Sequence, residues 1–232
     1  EEGPIASRPD GAVWVASRGG SIRVVSPEGR LRREIEAPAP LMSAAVGPDG
    51  ALWLGGDGEV IRVRGEALER WGASANVPRG LVRDVLPEPD GSVWIATYGG
   101  GVGLLRGGRA ERITAEQGLP DNSVSRILDD GRGRLWISTN RGVAVVRRSE
   151  LLAVAEGRAR AVDAVVLGPE RGVAEANFGS PAGFADGFGR LWFGTIFGTV
   201  SVLATSFPFN DAPPEVRIEE VRADGRLLSP GP

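Results

Sequence analysis

The sequence contains no cysteine and no histidine, and it also lacks lysine, so all 27 of its basic residues are arginine. These absences exclude thiol nucleophiles, Schiff-base lysines, histidine-assisted serine triads and transition-metal sites built from His or Cys. Asp, Glu, Tyr and Arg are the strong candidates that remain for chemistry. We therefore expect no catalytic residues, no cofactor and no metal site in this chain.

Long apolar runs and concentrated basic charge are also missing. No stretch of 18 apolar residues is present, so we expect no direct insertion of this segment into a membrane. The formal net charge is -3 and no stripe of arginines stands out, which argues against a nucleic-acid partner. The chain opens at Glu1 without an initiator methionine or a signal peptide, and we expect a processed or excised piece of a longer protein.

Glycine turns and tryptophans are the features that recur. Five tryptophans lie between two apolar residues, and each follows a glycine by three positions: Trp14, Trp53, Trp94, Trp136 and Trp192. Successive members of this set are 39, 41, 42 and 56 residues apart. A period near 40 residues, built from strand and turn signals, predicts an all-β fold, a β-propeller with one four-stranded antiparallel blade per repeat. We expect the five tryptophans to be buried between blades.

Each repeat reads as four strands. The segment around each tryptophan is apolar throughout, as expected for a strand covered on both faces by adjacent blades, and an alternating polar strand closes the unit. A short helix over residues 150–155, inserted after the fourth blade, accounts for the long spacing before Trp192, with Ser149 as its N-cap and Gly157 as its stop. Trp71 lies outside the register, and packing is favoured for it over a stacking role.

The domain boundaries follow from these units. The propeller blades are predicted over residues 1–206, with repeats at about 1–40, 41–79, 80–117, 118–176 with the helical insertion, and 177–206. A Pro-rich linker is predicted at 207–214, and residues 215–232, which begin with an alternating strand pattern, are predicted to start another domain.

Residues 118–142 carry a motif that reads Gly-Leu-Pro, a polar residue, Asn, an apolar strand, an Asp-rich turn, Leu-Trp-Ile and Ser-Thr. This stretch closely resembles the two-component regulator propeller repeat, residues 80–101 match it less completely, and residues 172–195 resemble a closing blade. The resemblance implies the periplasmic sensor region of a membrane signalling protein, typically a hybrid histidine kinase and sometimes a diguanylate cyclase. It also implies a non-catalytic ligand-binding platform that works as a homodimer, recognises glycan fragments in several cases, and signals to downstream domains of the same polypeptide. The resemblance further implies that residues 215–232 start the β-sandwich domain that follows such propellers. It implies that the five units are part of a larger propeller of the seven-bladed type, although five blades are within the known range of about four to eight.

Two other functions remain open. Residues 10–17 and 22–29 are similar to repeats of streptogramin B lyase, a propeller enzyme whose elimination chemistry relies on a His base with a metal ion nearby. The absence of histidine disfavours this alternative. The third alternative is a propeller that binds another protein through its rim.

Positions that differ between the units are the candidates for ligand recognition, because positions common to all blades serve the fold. Four residues after each Trp, at the turn between the second and third strands, the chain has Arg18, Asp57, Tyr98, Asn140 and Ile196. These turns are expected to share one rim with the links entering each blade, where Asn122 lies, and Arg141 follows Asn140. Arg18, Asp57, Tyr98, Asn122, Asn140 and Arg141 therefore form the predicted site for a carbohydrate or another polar small ligand. A solvated surface is the alternative interpretation.

Asp129 and Asp130 could be taken for ligands of a calcium loop. The spacing of oxygen donors and the distal Glu that such a loop requires are missing from the sequence. We therefore predict that both residues form hydrogen-bonded turns.

Overall fold

The computed structural model describes residues 3–17, 19–37, 40–65, 67–177, 179, 181–208, 221–223 and 226–228. Five antiparallel sheets follow one another along the chain, and the strands of each sheet are hydrogen-bonded in the order in which they occur in the sequence. This is the blade pattern of a β-propeller. Four of the blades have the four strands that the repeat predicts, whereas the fifth has three strands within the described residues.

The strands of the five blades are as follows. Blade 1 consists of β1 (Ile5–Ser7), β2 (Val13–Ala16), β3 (Ser21–Val25) and β4 (Leu31–Glu36). Blade 2 consists of β5 (Ser43–Val46), β6 (Leu52–Gly55), β7 (Val60–Arg64) and β8 (Ala67–Trp71). Blade 3 consists of β9 (Val82–Pro87), β10 (Val93–Thr97), β11 (Gly101–Arg106) and β12 (Arg109–Ile113). Blade 4 consists of β13 (Val124–Asp129), β14 (Arg134–Thr139), β15 (Gly142–Arg147) and β16 (Val165–Leu167). Blade 5 consists of β17 (Gly183–Ala185), β18 (Arg190–Thr195) and β19 (Gly198–Leu203).

The first strand of each blade lies at the centre of the array. β1 contacts β5, β5 contacts β9, β9 contacts β13 and β13 contacts β17, so the first strands are neighbours of one another from blade to blade. The last strands are more exposed, as the charged pattern of β4 and β12 predicts. Side chains on the first strands therefore surround the central axis.

The first four tryptophans of the repeat face the following blade. Trp136 packs in one apolar cluster with Leu191 and Phe193, the residues on either side of Trp192 in the next blade. The same relation holds at the three earlier seams, where the clusters pair Trp14 with Leu52 and Leu54, Trp53 with Val93 and Ile95, and Trp94 with Leu135 and Ile137. Trp71, at the end of β8, stacks on Trp53 with ring centroids 5.5 Å apart, which agrees with the packing role predicted for it.

The prediction of burial is correct for the first four tryptophans and wrong for the fifth. Trp14, Trp53, Trp94 and Trp136 are at most 5% exposed. Trp192 is only half-buried, because no described blade covers the face of β18 on which it lies. Only one of the two faces of β18 is fully buried, whereas every residue of β10, the equivalent strand of blade 3, is buried.

The glycine three residues before each tryptophan is required by the backbone. Its φ angle is 78° at Gly11, 77° at Gly50, 83° at Gly91, 80° at Gly133 and 81° at Gly189. Residues with a Cβ rarely adopt this left-handed conformation. The recurring glycine thus fixes the same tight turn between the first and second strands of all five blades.

The short helix occupies nearly the residues that the sequence predicts, but it belongs to the fourth blade. The helix α1 (Arg148–Ala155) joins β15 to β16, so it is inserted within the fourth blade and not after it. Its N-cap is Arg147 and not Ser149. Glu150 in the first turn pairs with Arg147 and accepts a hydrogen bond from the Asp163 backbone. The predicted stop is confirmed, since Gly157 follows the helix with φ 70°.

The region after the fifth blade is described only in part. Residues 204–206 form a 3-10 turn, and β20 (Val221–Ala223) pairs with β21 (Arg226–Leu228) as an antiparallel hairpin. Residues 209–220, 224–225 and 229–232, on which most of the linker and β-sandwich predictions fall, lie outside the described residues. Both predictions stay predictions.

Candidate ligand-binding face and central recess

The turns between second and third strands meet the links that enter the following blades. Asp57 forms an antiparallel bridge with Leu81, and one blade later Tyr98 bridges Ser123. The backbone amides of Gly99 and Gly101 both donate to the Asn122 carbonyl, at 3.1 and 2.8 Å. These contacts place the turns and the links on one rim of the propeller.

A threonine holds this rim turn in each of the last three blades. The hydroxyl of the threonine three residues after the tryptophan donates to the carbonyl of the glycine that begins the next strand, at 2.8 Å for Thr97 to Gly101 and 2.9 Å for Thr139 to Gly142. Thr195 makes the same bond to Gly198 at 2.9 Å. Because the bond is local, the position after the threonine is free to vary without loss of the turn.

Two of the predicted ligand residues have structural partners. Asn122 Oδ1 accepts a hydrogen bond from the Ala115 backbone at 2.8 Å, which fixes the 3-10 turn before the link. Asn140 Oδ1 accepts a hydrogen bond from the side chain of Asn177, in the link that enters the fifth blade. Both side chains are half-buried, so their first role is to hold turns and links together.

Three other predicted residues are exposed on the rim. Tyr98 is 49% exposed, and Asp57 and Arg141 are also exposed. Arg18 lies outside the described residues. The structure therefore leaves Asp57, Tyr98 and Arg141 accessible to a ligand, and the assignment of all six residues as ligand-binding stays a prediction.

A recess at the centre of the propeller is the feature that sequence reasoning missed. Its volume is about 250 Å³, and it is lined by residues from all five blades: Gly3, Pro4, Ile5, Met42, Ser43, Ala44, Arg83, Asp84, Arg126 and Pro181. Most of these residues lie at the start of a first strand or just before it. The lining is apolar except for a serine, two arginines and one aspartate.

The charged residues of the recess lie at irregularities in two first strands. The pairing of β9 with β10 skips Arg83, since Ala96 pairs with Asp84 and Thr97 with Val82. In the next blade the pairing of β13 with β14 skips Ser125 at the equivalent place. A bulge redirects the side chains around it, and here it occurs where charged residues interrupt otherwise apolar strands.

Asp84 and Arg126 occupy equivalent positions of neighbouring blades and form an ion pair with a distance of 2.7 Å between Asp84 Oδ1 and an Arg126 guanidinium nitrogen. Asp84 Oδ2 accepts a hydrogen bond from the Ile127 backbone at 2.8 Å. Burial raises the pKa of the Asp84 carboxyl, against the opposite effect of the nearby Arg126. The carboxyl group is fully engaged by the protein, and among the described residues Arg83 donates one hydrogen bond, to the Gly179 carbonyl at 3.1 Å.

A sequence signal for this recess exists. Arg83-Asp84 interrupts the apolar run 81–86, and Arg126 interrupts 124–128. Strands enclosed on both faces carry charge only where it is paired or meets a cavity. The charges mark the recess, but the bulges that direct them toward it cannot be read from the sequence.

The Asp-rich turn before Trp136 has a structural role, as predicted. Asp129 Oδ1 accepts from the Gly131 backbone at 2.9 Å, and Asp130 Oδ1 accepts from the Arg132 backbone at 2.8 Å. Within the described residues, no three His, Cys, Asp or Glu side chains are grouped as a metal site would require.

No described helix has the length and apolar character needed to span a bilayer.

Comparison with known proteins supports the fold and one repeat. Residues 118–141 match the family model described as two component regulator propeller, which confirms the resemblance over that stretch. No curated protein matches the chain significantly in sequence.

Several solved structures share the architecture. One is the extracellular domain of a protein assigned as a hybrid two-component system from B. thetaiotaomicron, with a TM-score of 0.64 and 18% identity over 83% of this chain and 26% of that one. A second such domain from the same organism gives a TM-score of 0.63 and 16% identity over 86% of this chain and 29% of that one. Both alignments span less than a third of the neighbouring chain.

A propeller enzyme also shares the fold. A catalytically inactive histidine-to-alanine variant of virginiamycin B lyase from Staphylococcus aureus, solved with quinupristin, gives a TM-score of 0.60 and 16% identity over 90% of this chain and 71% of that one. At such identities the likeness is one of fold alone.

Proposed function

We propose that this chain is a non-catalytic, extracytoplasmic ligand-sensing and scaffold propeller of a two-component-type signal-transduction protein, and that it recognises a polar ligand such as a glycan fragment. The observation that carries the proposal is the central recess, whose charged lining belongs to single blades and is not part of the repeat. Residues needed only for folding recur in every blade, whereas Arg83 and Arg126 do not. The matched repeat at residues 118–141 and the extracellular neighbours support the signalling context and a periplasmic location.

The composition of the recess supports binding without turnover. Its described lining contains one carboxylate, Asp84, which is 2% exposed and already bonded to Arg126 and Ile127. Hydrolysis of a glycosidic bond by the common mechanism requires two carboxyl groups on opposite sides of the substrate. A single engaged carboxylate does not provide them.

The ligand would occupy the recess and the rim together. Tyr98 offers a half-exposed ring, and Asp57 and Arg141 offer exposed polar groups. An aromatic ring with hydrogen-bonding groups around it suits the apolar faces and hydroxyl groups of a sugar. In this proposal binding shifts the population of two arrangements of a homodimer or of the downstream domains in the same polypeptide.

Calorimetric titration with a panel of glycan fragments tests the proposal. A ligand should bind and be recovered unchanged, and Tyr98→Ala should weaken its binding about three- to tenfold through loss of aromatic contact. Phe188→Ala is the control, because Phe188 is also an exposed aromatic but lies away from the predicted site, in the turn between β17 and β18. Recovery of cleaved fragments would refute the non-catalytic proposal.

Streptogramin lyase activity is the second candidate, favoured by the fold that this chain shares with the quinupristin-bound lyase. Replacement of one histidine inactivates that enzyme, and this chain has no histidine. We expect quinupristin to be unchanged after incubation with the protein, as measured by chromatography. Conversion of quinupristin would establish the lyase instead.

The third candidate is a propeller that binds another protein through its rim. It predicts no small ligand and an association that is weakened by changing Tyr98 and Arg141 together. Sedimentation of the double variant beside the native chain measures this outcome.

A further inference from the structure

We infer that the central recess binds a compact anionic group, either a carboxylate or a sulfate or phosphate ester, through Arg83 and Arg126. The inference rests on the proposed function, because it names the chemistry of the ligand that the recess takes. Three features carry it: the charge of the lining, its unused hydrogen-bond donors and its size.

The described lining carries an excess of one positive charge. Arg83 and Arg126 face one acidic residue, Asp84, and the other lining residues are uncharged. Asp84 is paired with Arg126 and bonded to the Ile127 backbone, so its charge is compensated locally. The charge of Arg83 has no acidic partner among the described residues, and its one hydrogen bond goes to a neutral backbone carbonyl.

The second feature is a set of donors without acceptors. A guanidinium group has five N–H donors. Arg126 uses donors on Asp84, but its Nε is buried and has no hydrogen-bond partner within the described residues. Buried donors are costly when they are unsatisfied. An oxyanion supplies several acceptors in the fork geometry that arginine prefers.

The size of the recess limits what it holds. Its volume of about 250 Å³ is below the range of about 300 to 1,000 Å³ typical of pockets that enclose a drug-sized ligand. The recess therefore takes one charged group or one sugar ring, and the remainder of a larger ligand lies along the rim near Tyr98.

The anion preference is local and not a property of the whole surface. The chain has a formal net charge of -3, so its overall field repels anions at long range. Two arginines recessed among apolar residues act at short range, where water screens them less. Binding should consequently depend on these two side chains and be insensitive to arginines on the outer strands.

Calorimetric titration with D-glucuronate and D-glucose, which differ in a carboxylate and a hydroxymethyl group, tests the inference. We expect glucuronate to bind at least about tenfold more tightly than glucose, as one or two charge-assisted hydrogen bonds provide. Arg83→Gln should remove most of this difference. Arg112→Gln is the matched control, because Arg112 lies exposed on β12 at the outer edge of the same blade, and it should leave the difference unchanged.

Arg126 is tested by a milder change, because its removal would leave the buried Asp84 without its partner. Arg126→Lys keeps the positive charge beside Asp84 but loses the planar fork, and it should weaken glucuronate binding while circular dichroism shows a folded chain. Inorganic sulfate is the competing probe: competition assigns a general oxyanion site, and its absence assigns a carboxylate site. Both results support the inference.

Equal affinity for glucuronate and glucose, no detectable binding of glucuronate, or an Arg83→Gln variant that keeps the full difference would overturn the anion inference. These outcomes are distinct from failure of the sensing proposal. A neutral glycan that binds without turnover would leave the sensing proposal standing while the anion preference fails.

Discussion

The fourth and fifth blades contain the same tryptophan turn in two different surroundings. In both, the indole Nε1 donates a 3.1 Å hydrogen bond to an aspartate six residues earlier, Asp130 for Trp136 and Asp186 for Trp192. Trp136 is completely buried, whereas Trp192 is half-buried and stacks on Phe184, which is itself 53% exposed. The local geometry is thus preserved where the burial is not.

The difference shows that the tryptophan turn forms from the local sequence, whereas the tryptophan ring is buried only where another blade packs against it. Trp136 is covered by the apolar residues on both sides of Trp192. No described blade follows blade 5, and its accessible apolar side chains include Phe184, Phe188 and Phe197, the last two 90% and 82% exposed. A blade with an apolar second strand is what covers this face at the other four seams.

The largest expected effect separates the two tryptophans. Trp136→Ala should lower the free energy of unfolding by about 3–5 kcal/mol, because it leaves a cavity between two blades. Trp192→Ala should cost clearly less, since its ring is already partly hydrated. Urea denaturation followed by circular dichroism measures both losses, and equal losses would mean that blade 5 is covered in solution.

Replacement of the turn aspartate, like replacement of the tryptophan, should destabilise the protein more in blade 4 than in blade 5. The Asp130 side chain is fully buried, and Asp130→Asn should cost about 1–3 kcal/mol through hydrogen bonds lost from Trp136 and Arg134. Asp186→Asn changes an accessible turn and should have a smaller effect. Thermal unfolding at neutral pH compares the two variants, and a larger loss for Asp186→Asn would contradict the comparison.

The acid sensitivity of Asp130 sharpens this prediction. Burial raises the pKa of Asp130, but hydrogen bonds from Trp136, Arg132 and Arg134 outweigh it and lower the pKa below the ordinary value of 3.8. A lowered pKa in the folded state stabilises the protein above the unfolded pKa, and this stabilisation is lost as the pH falls through the folded pKa. Asp130→Asn should therefore flatten the loss of stability below about pH 5. Denaturant midpoints between pH 7 and pH 2 measure it.

The turn glycines should respond equally in the two blades. Gly133→Ala and Gly189→Ala place a Cβ at φ 80° and 81°, and neither Cβ would meet an atom closer than 3.6 Å. Each change should cost about 1–2 kcal/mol through backbone strain alone. Gly187→Ala is the control, because Gly187 has no positive φ and open space around it. Unequal losses at 133 and 189 would show that the turns depend on their blades.

The smallest effect is expected in the turn between β17 and β18 of blade 5. Phe188 is 90% exposed, so Phe188→Ser should change the free energy of unfolding by less than about 0.5 kcal/mol. A substantially larger loss in the same urea assay would indicate that a part of the protein covers this aromatic in solution.

Most of the fold could be predicted because its signals are local. The glycine before each tryptophan demands a positive φ, and the apolar triplet around the tryptophan demands an enclosed strand, so the turn and the second strand of each blade could be recognised. The helix was predicted over nearly the residues it occupies. Its place inside the fourth blade was missed because the last strand of that blade, β16, has only three residues and is defined by its pairing with β15. Such a strand carries little pattern of its own.

The candidate site could be predicted less well. The rim position of Tyr98 followed from the repeat, since the turn after each second strand must fall at the same end of the blade. The partners of Asn122 and Asn140 did not follow, because each hydrogen bond joins residues whose separation is set by the path of the chain. The recess was missed because its lining comes from five separate blades.

The sequence by itself determined the repeat, the strand order within each blade, the five glycine turns and the exclusion of His- and Cys-dependent chemistry. These properties depend on residue types and on interactions over a few positions along the chain. Only the tertiary structure decided that Trp192 lies half-exposed, that Asp84 pairs with Arg126 across a blade boundary, and that Arg83 lines a central recess. Burial and charge pairing depend on which surfaces are in contact, and these contacts exist only after the blades have assembled. The bulges in β9 and β13 are likewise features of the paired sheets.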